Sequence, residues 1–270
     1  MVKVEGEPQK ENTIFEGKVA DVFSGQGTQF PRMGLELYQN SRAARDVFEE
    51  ADDALGFKLS KLIFEGSNEE LKDTAVSQPA IMTTSIASLR ALEESLGGKM
   101  PQSFVMSGHS LGLYTSTVAA GVINFGTGVK LVRERGRLMK EASEKRPGGM
   151  AAILRLDQSV LEEICAETGI EIGNINSDDQ LIISGDRIAV ARAMELASEK
   201  GATKTIPLEV SGAFHSVLMA PAQQGLEEAI SKISFKDPRV PIIANSDCAV
   251  LTTGEDVKQE LVKGLCACVR

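Results

Sequence analysis

Gly108-His109-Ser110-Leu111-Gly112 sets a serine between glycines at i−2 and i+2, a spacing that could make Ser110 a nucleophile. Ser103 to Ser107 reads as a strand before it and Leu113 to Ala120 as a helix after it. Strand, sharp turn and helix together are the setting of a nucleophile elbow. The glycines have a steric job there, because a strained, crowded turn has no room for neighbouring Cβ atoms. The backbone N–H of Leu111 would then face a developing oxyanion at the positive end of the helix. A serine of ordinary pKa needs an adjacent base. Only two histidines exist, His109 and His215. His109 lies inside the elbow, where it is expected to pack or orient. His215, within Ser211-Gly212-Ala213-Phe214-His215-Ser216, is the candidate base. On spacing alone, a Gly-rich turn with an incidental serine and a surface or capping histidine remain open readings.

These residues need elements to carry them. Val19 to Phe23 predicts a strand, followed by the turn Gly25-Gln26-Gly27-Thr28-Gln29. Ala43 to Leu55 and Gln78 to Leu96 read as helices, the second with apolar residues at 81, 82, 86, 89, 92 and 96, close to a 3.6 period. Pro79 is expected near the first turn of that helix, where its missing N–H costs nothing. Strands alternating with helices of this length predict a parallel α/β sheet. Pro147-Gly148-Gly149 interrupts the pattern. Strand Met150–Leu156, helix Gln158–Thr168, strands Ile170–Asn176 and Gln180–Ser184, helix Arg187–Lys200 and strand Thr203–Val210 follow, and β-α-β-β-α-β is a ferredoxin-like unit. Helix Pro221–Lys232 and strand Val240–Ala244 are expected to rejoin the main sheet. The reading is therefore a discontinuous catalytic domain over 18–146 and 211–270, a small domain over 147–210, and a disordered polar leader over 1–17.

Composition excludes several function classes. Net charge is −9 with aromatics at only 4% and no tryptophan, which argues against nucleic acid or anionic membrane as a partner. No apolar run approaches the length of a membrane span, and the N-terminus lacks a signal-peptide core. Cys165, Cys248, Cys266 and Cys268 are too few and too irregular for a disulfide framework. Cys266-Ala267-Cys268 has no accompanying histidine, so no metal site is expected. A reducing cytoplasm is the expected compartment. Against the net negative charge, Lys130, Arg133, Arg135, Arg137, Lys140, Lys145 and Arg146 form one basic run, read either as a solvated helix face or as a dock for an acidic protein.

Six segments in order carry a family resemblance: Gly25 to Gln29, Gln78-Pro79, Gly108 to Gly112, Leu131 to Met139, Asn174 to Gln180 with Ile183-Ser184-Gly185, and Ser211 to Ser216. Over about residues 18 to 263 the chain resembles the malonyl-CoA:acyl carrier protein transacylases. The resemblance implies an α/β-hydrolase-like large domain with a ferredoxin-like insert. It implies Ser110 as nucleophile, His215 as its base, and the N–H groups of Gln26 and Leu111 as the oxyanion hole. It implies Arg135 as partner of the malonyl carboxylate, a task suited to a planar, permanently charged fork. Gln78, Asn174, Asn176 and Gln180 match polar cleft positions, and Phe214 with Leu111 is similar to the malonyl-selective pattern. Malonyl-CoA and an acyl carrier protein are the implied substrate and partner, in fatty acid biosynthesis, with no cofactor.

Three departures stand out. Leu113 replaces a usual glutamate beside the elbow. Gly264 stands where relatives carry a glutamine whose carbonyl orients the histidine, and Leu265 to Arg270 is unlike the family, the chain stopping where relatives run on. An exposed apolar surface, lowered stability or a required partner is the expectation from that tail. Two further readings are a trans-acting polyketide-synthase malonyl acyltransferase and a truncated, non-catalytic carrier-binding homologue. An esterase fits less well, since Arg135 would serve no neutral acyl group.

Overall fold

The computed structural model describes residues 17–270; the leader expected over 1–17 lies, apart from Gly17, outside them. The chain opens with β1 (Val19–Phe23), then runs through α1 (Leu35–Asn40), α2 (Arg42–Leu55), α3 (Leu59–Glu65), α4 (Asn68–Lys72) and the long α5 (Thr74–Ser95). β2 (Ser103–Gly108) leads into α6 (Leu111–Ala119) and α7 (Phe125–Lys145). β3 (Gly148–Leu154), α8 (Gln158–Thr168), β4 (Glu171–Ser177), β5 (Gln180–Asp186), α9 (Arg187–Glu199) and β6 (Lys204–Pro207) come next. The chain ends with α10 (Ala220–Ile230), β7 (Ile242–Ile243), β8 (Val250–Leu251) and α11 (Gly254–Lys263).

Two sheets result. The first has the order β1-β2-β7-β8, with β1, β2 and β7 parallel and β8 antiparallel at the edge. The second has the order β4-β5-β3-β6 with every neighbouring pair antiparallel, the strand order of a ferredoxin-like unit. The architecture is thus α/β, a parallel-sheet unit interrupted by an antiparallel one. Alternation along the second sheet divides its side chains. Ala151, Ile153, Leu181 and Ile183 pack with Leu161, Ile164, Val190 and Ala193 of α8 and α9 in their own core. Met150, Ala152 and Ile182 belong instead to the core of the larger unit, so this sheet is buried on both faces and one face borders the site.

Helix α5 starts four residues before the expected Gln78. The Asp73 side chain accepts from the N–H of Ala75 at 2.9 Å, a cap that periodicity alone does not display. Pro79 consequently sits inside the helix, where its ring leaves the Ala75 carbonyl without an intrahelical donor. A second constraint acts at the same end: a Cβ on Gly136 of α7 would lie 2.2 Å from the Thr74 carbonyl oxygen. That bare backbone contact lets α7 approach α5 closely enough for Arg135 to meet Gln78.

The elbow is equally tight. A Cβ on Gly108 would stand 2.1 Å from the Gly112 carbonyl carbon, and one on Gly112 would stand 2.1 Å from the Phe23 carbonyl oxygen. Both obstacles are backbone, which cannot rotate away. Gly112→Ala is therefore expected to destabilise the protein by roughly 3 kcal/mol through overpacking, a fall in Tm of about 6–12 °C. A thermal melt unchanged within 2 °C would show that α6 can slide off β1 freely.

The C-terminal residues are tied in. Leu265 is 1% and Val269 3% exposed. The Ile175 N–H donates to the Val269 carbonyl at 2.7 Å and the Val269 N–H to the Gly173 carbonyl at 2.9 Å, extending the free edge of β4. At these two positions the tail buries apolar side chains rather than exposing them.

Candidate active site

Ser110 joins β2 to α6 with φ 51° and ψ −98°, a conformation that non-glycine residues rarely adopt and that is common where side chains must be aimed. Its N–H donates to Asn245 Oδ1 at 2.8 Å, and Asn245 Nδ2 donates to the Gly108 carbonyl at 2.8 Å. The next residue, Leu111, opens α6 and is buried, so its N–H is one of the donors a helix leaves free at its positive end. Gln26, from the turn after β1, lines the same cleft as Ser110.

His215 lies on the return from the second sheet to the larger unit, with φ 56°. Ser184 of β5 donates its hydroxyl to the Phe214 carbonyl at 2.5 Å, pinning this loop to the antiparallel sheet. The imidazole Nε2 sits 2.8 Å from Ser110 Oγ, and Nδ1 lies 2.9 Å from the Gly264 carbonyl and 3.2 Å from the Ala267 carbonyl. Carbonyl oxygens only accept, so Nδ1 carries the proton and Nε2 offers its lone pair to the serine hydroxyl. Burial first, and the nearby Arg135 charge second, push the His215 pKa down to about 3. The ring is neutral at physiological pH. Gly264 fills the position expected for a glutamine, and its carbonyl makes the bond without a side chain.

Arg135 also reaches the hydroxyl. It is 2% exposed, donates to Gln78 Oε1 at 2.8 Å and to Ser110 Oγ at 3.1 Å, and lies 5.0 Å over the Tyr114 ring. Its Nε has no partner among the described residues. Among the described residues its partners are an amide, a hydroxyl and an aromatic face, none of them a carboxylate. A guanidinium buried without a counter-ion is costly, and burial pulls its pKa below the ordinary value. The site is therefore electrostatically prepared for an anion next to Ser110.

The cleft above these groups, about 320 Å3, is lined by Ser110, His215, Gln26, Asn174, Asn176, Gln180 and Phe214, with Met139, Met150, Ala152, Ile182 and Leu208 giving apolar walls. Gln78, Leu111 and Arg135 do not line it and are buried. The polar positions form a string across the gap between the two sheets. His109 Nε2 lies 3.1 Å from Asn174 Nδ2 and 3.2 Å from Asn176 Oδ1, while Asn176 Nδ2 donates to Gln180 Oε1 at 2.9 Å. The buried Asn174 Oδ1 has no partner among the described residues. Two roomier hollows, about 740 and 990 Å3, hold no nucleophile and base pair.

The basic run divides on folding. Arg135 turns inward, Arg137 is paired with Glu134 and Glu141, Lys140 with Asp73, and Arg133 stacks on Phe57. Lys130, Lys145 and Arg146 remain exposed. Sequence reasoning missed two residues that touch the site's working groups, Tyr114 and Asn245, and Glu260 behind Asn245. Asn245 had one legible signal, its place just beyond the carboxyl end of a parallel strand, where open α/β sheets put their sites.

Among the described residues no group of His, Cys, Asp and Glu side chains could hold a metal ion, and no helix is long and apolar enough to cross a membrane. The family described as "Acyl transferase domain" matches residues 21–265. The malonyl CoA-acyl carrier protein transacylase of Bacillus subtilis (strain 168) is 46% identical over 258 residues, covering 94% of this chain and 80% of the relative. Its namesake from Escherichia coli (strain K12) is 39% identical, over 91% of this chain and 80% of the relative. Among solved structures, the malonyl CoA-acyl carrier protein transacylase from Coxiella burnetii superposes with a TM-score of 0.89 at 38% identity, covering 94% of this chain and 80% of that one. A type II PKS acyl-carrier protein in complex with its malonyl-transacylase gives a TM-score of 0.89 at 36% identity, over 94% and 82%.

Proposed function

Because this chain belongs to the acyl transferase domain family, we propose that it is an S-malonyltransferase, moving malonyl from malonyl-CoA to the phosphopantetheine thiol of an acyl carrier protein. One observation carries the choice of acyl group: Arg135, buried without a carboxylate partner among the described residues, reaches Ser110 Oγ at 3.1 Å. A neutral acyl chain would leave that charge uncompensated; the free carboxylate of malonate would neutralise it through two parallel hydrogen bonds.

The geometry supports the following steps. Ser110 Oγ attacks the thioester carbonyl as His215 Nε2 takes the hydroxyl proton. The carbonyl oxygen becomes an oxyanion facing the N–H groups of Gln26, in the turn after β1, and of Leu111, at the start of α6. Collapse breaks the C–S bond, and the His215 imidazolium returns its proton to the departing CoA sulfur. In the second half, His215 takes the proton of the carrier thiol, the sulfur attacks the seryl ester, and Ser110 leaves with that proton. Gln78 steadies the guanidinium, and Asn174, Asn176 and Gln180 offer amides to the polar arm of either thiol. Phe214 limits room beside the malonyl carbon. Acid–base and electrostatic groups suffice for these steps, so no cofactor is assigned.

Residues 18–146 with 211–270 form the catalytic domain in this reading, and 147–210 the small domain that closes the cleft. Four free thiols favour a reducing cytoplasm. Fatty acid biosynthesis is the pathway assigned. A polyketide carrier is the second reading, favoured by the likeness to a malonyl-transacylase solved with a type II PKS carrier. A non-catalytic role is disfavoured by the 2.8 Å bond between Ser110 and His215.

Intact-protein mass spectrometry tests the assignment. Mixing with malonyl-CoA should add one malonyl group to the protein, none to Ser110→Ala, and holo-carrier protein should discharge it. An adduct released only by water would overturn transfer in favour of hydrolysis.

A further inference from the structure

Asn245 and Glu260 do not line the acyl cleft, yet together they grip the elbow. The Asn245 side chain bridges the residues on either side of His109: its Oδ1 accepts from the Ser110 N–H and its Nδ2 donates to the Gly108 carbonyl, each at 2.8 Å. A carboxamide offers one donor and one acceptor at fixed spacing, so this pair locks two peptide planes against each other. Those planes help fix the backbone that puts Ser110 at φ 51°. Asn245 is itself held. The Glu260 carboxylate, 5% exposed on α11, accepts from the Asn245 N–H and the Ser246 N–H at 2.9 Å each and from the Ser246 hydroxyl at 2.7 Å. A buried carboxylate is tolerated where hydrogen bonds satisfy it, and here three donors flank the Asn245 backbone. The same helix offers the Leu261 carbonyl to the Tyr114 hydroxyl at 2.8 Å and leads to the Gly264 carbonyl behind His215.

We infer that Asn245 is a positioning residue for the nucleophile, registered by Glu260, and that this linkage sets the aim of Ser110 Oγ. The inference rests on Ser110 being the nucleophile proposed above but not on the identity of the acyl group. Without the bridge, the Ser110 N–H and the Gly108 carbonyl lose their partner, and the elbow can relax toward an ordinary turn. Oγ then drifts from its 2.8 Å contact with His215. Substrate contacts in the cleft are untouched, so rate falls and binding does not.

The test measures Ser110 reactivity with a fluorophosphonate, which needs no acyl recognition: the Oγ–P bond forms as P–F breaks, fluoride leaves, and His215 takes the hydroxyl proton. Asn245→Ala should label about 10²-fold more slowly, the loss typical of an ångström-scale misplacement, with the malonyl-CoA KM changed less than threefold. Glu260→Ala should label about tenfold more slowly, and Glu260→Gln, which retains an acceptor for both N–H groups, within threefold of wild type. The double variant Asn245→Ala/Glu260→Ala should be no slower than Asn245→Ala alone, since one residue acts through the other. Wild-type labelling by Asn245→Ala, or a double variant slower by the product of the two losses, would overturn the inference. If Asn245→Ala fails to fold, equal labelling of Glu260→Ala and Glu260→Gln overturns it. A wild type that labels but takes no malonyl group refutes the malonyl assignment and leaves the role of Asn245 standing; a wild type inert to the probe overturns both.

Discussion

Replacing His215 by alanine is expected to slow acylation of Ser110 by about 10³-fold or more, the scale set by losing a general base that works as one unit with its nucleophile. The malonyl-CoA KM should change little, because the imidazole bonds to Ser110 and to two backbone carbonyls rather than to a binding group. Single-turnover mass spectrometry separates the two quantities. The pH profile adds a second, independent reading. With the pKa pushed down to about 3, the base stays unprotonated through mild acid, so wild-type acylation should be level from pH 8 to pH 5. A profile falling with a midpoint near 6.5 would mean that the ring is far less buried than described.

The stability consequence has a definite sign. In the unfolded chain His215 takes a proton near pH 6.5, whereas the folded protein resists until about pH 3. Between those limits the unfolded state binds more protons, so stability falls as pH drops through this window and is unaffected by this group above it. His215→Ala should therefore lose less Tm than wild type on going from pH 7 to pH 5. Melts of both proteins at the two pH values decide this.

How much of this was legible in the sequence depended on whether the cause was local. β1 over Val19–Phe23 and α8 over Gln158–Thr168 coincide with the sequence reading, because an apolar run and an amphipathic period name their own elements. The start of α5 did not, because Thr74 to Ser77 carries no large apolar stripe and the deciding group is the Asp73 cap. β8 is two residues long and exists only by pairing with β7. Charge counted along the chain does not distinguish the members of the basic run, and only the resemblance set Arg135 apart; α7 turns Arg135 into the core and leaves Arg137 on the surface between two glutamates. Asn245 and Glu260 carry no motif; their meaning lies in bonds to Ser110, 135 residues away, and to one another across 15 residues.

Arg135→Ala should cut malonyl transfer by about 10²–10³-fold, the loss of roughly 3–4 kcal/mol expected when one partner of a buried charge pair is removed. Acetyl transfer should fall no more than a few fold, since an acetyl group has no carboxylate to lose. Two features make the contrast interpretable. The guanidinium touches Ser110 Oγ itself, so any general damage to the nucleophile would lower both reactions and be visible in the acetyl control. It also fills space above Tyr114 and bonds Gln78, so Arg135→Lys, which keeps the charge and most of the volume, separates charge from shape. Lysine cannot make the planar two-point contact, and an intermediate malonyl rate is expected for it. Side-by-side kcat/KM values for the two thioesters give the answer: equal losses in Arg135→Ala would remove this residue as the carboxylate partner and, with it, the reason for assigning malonate.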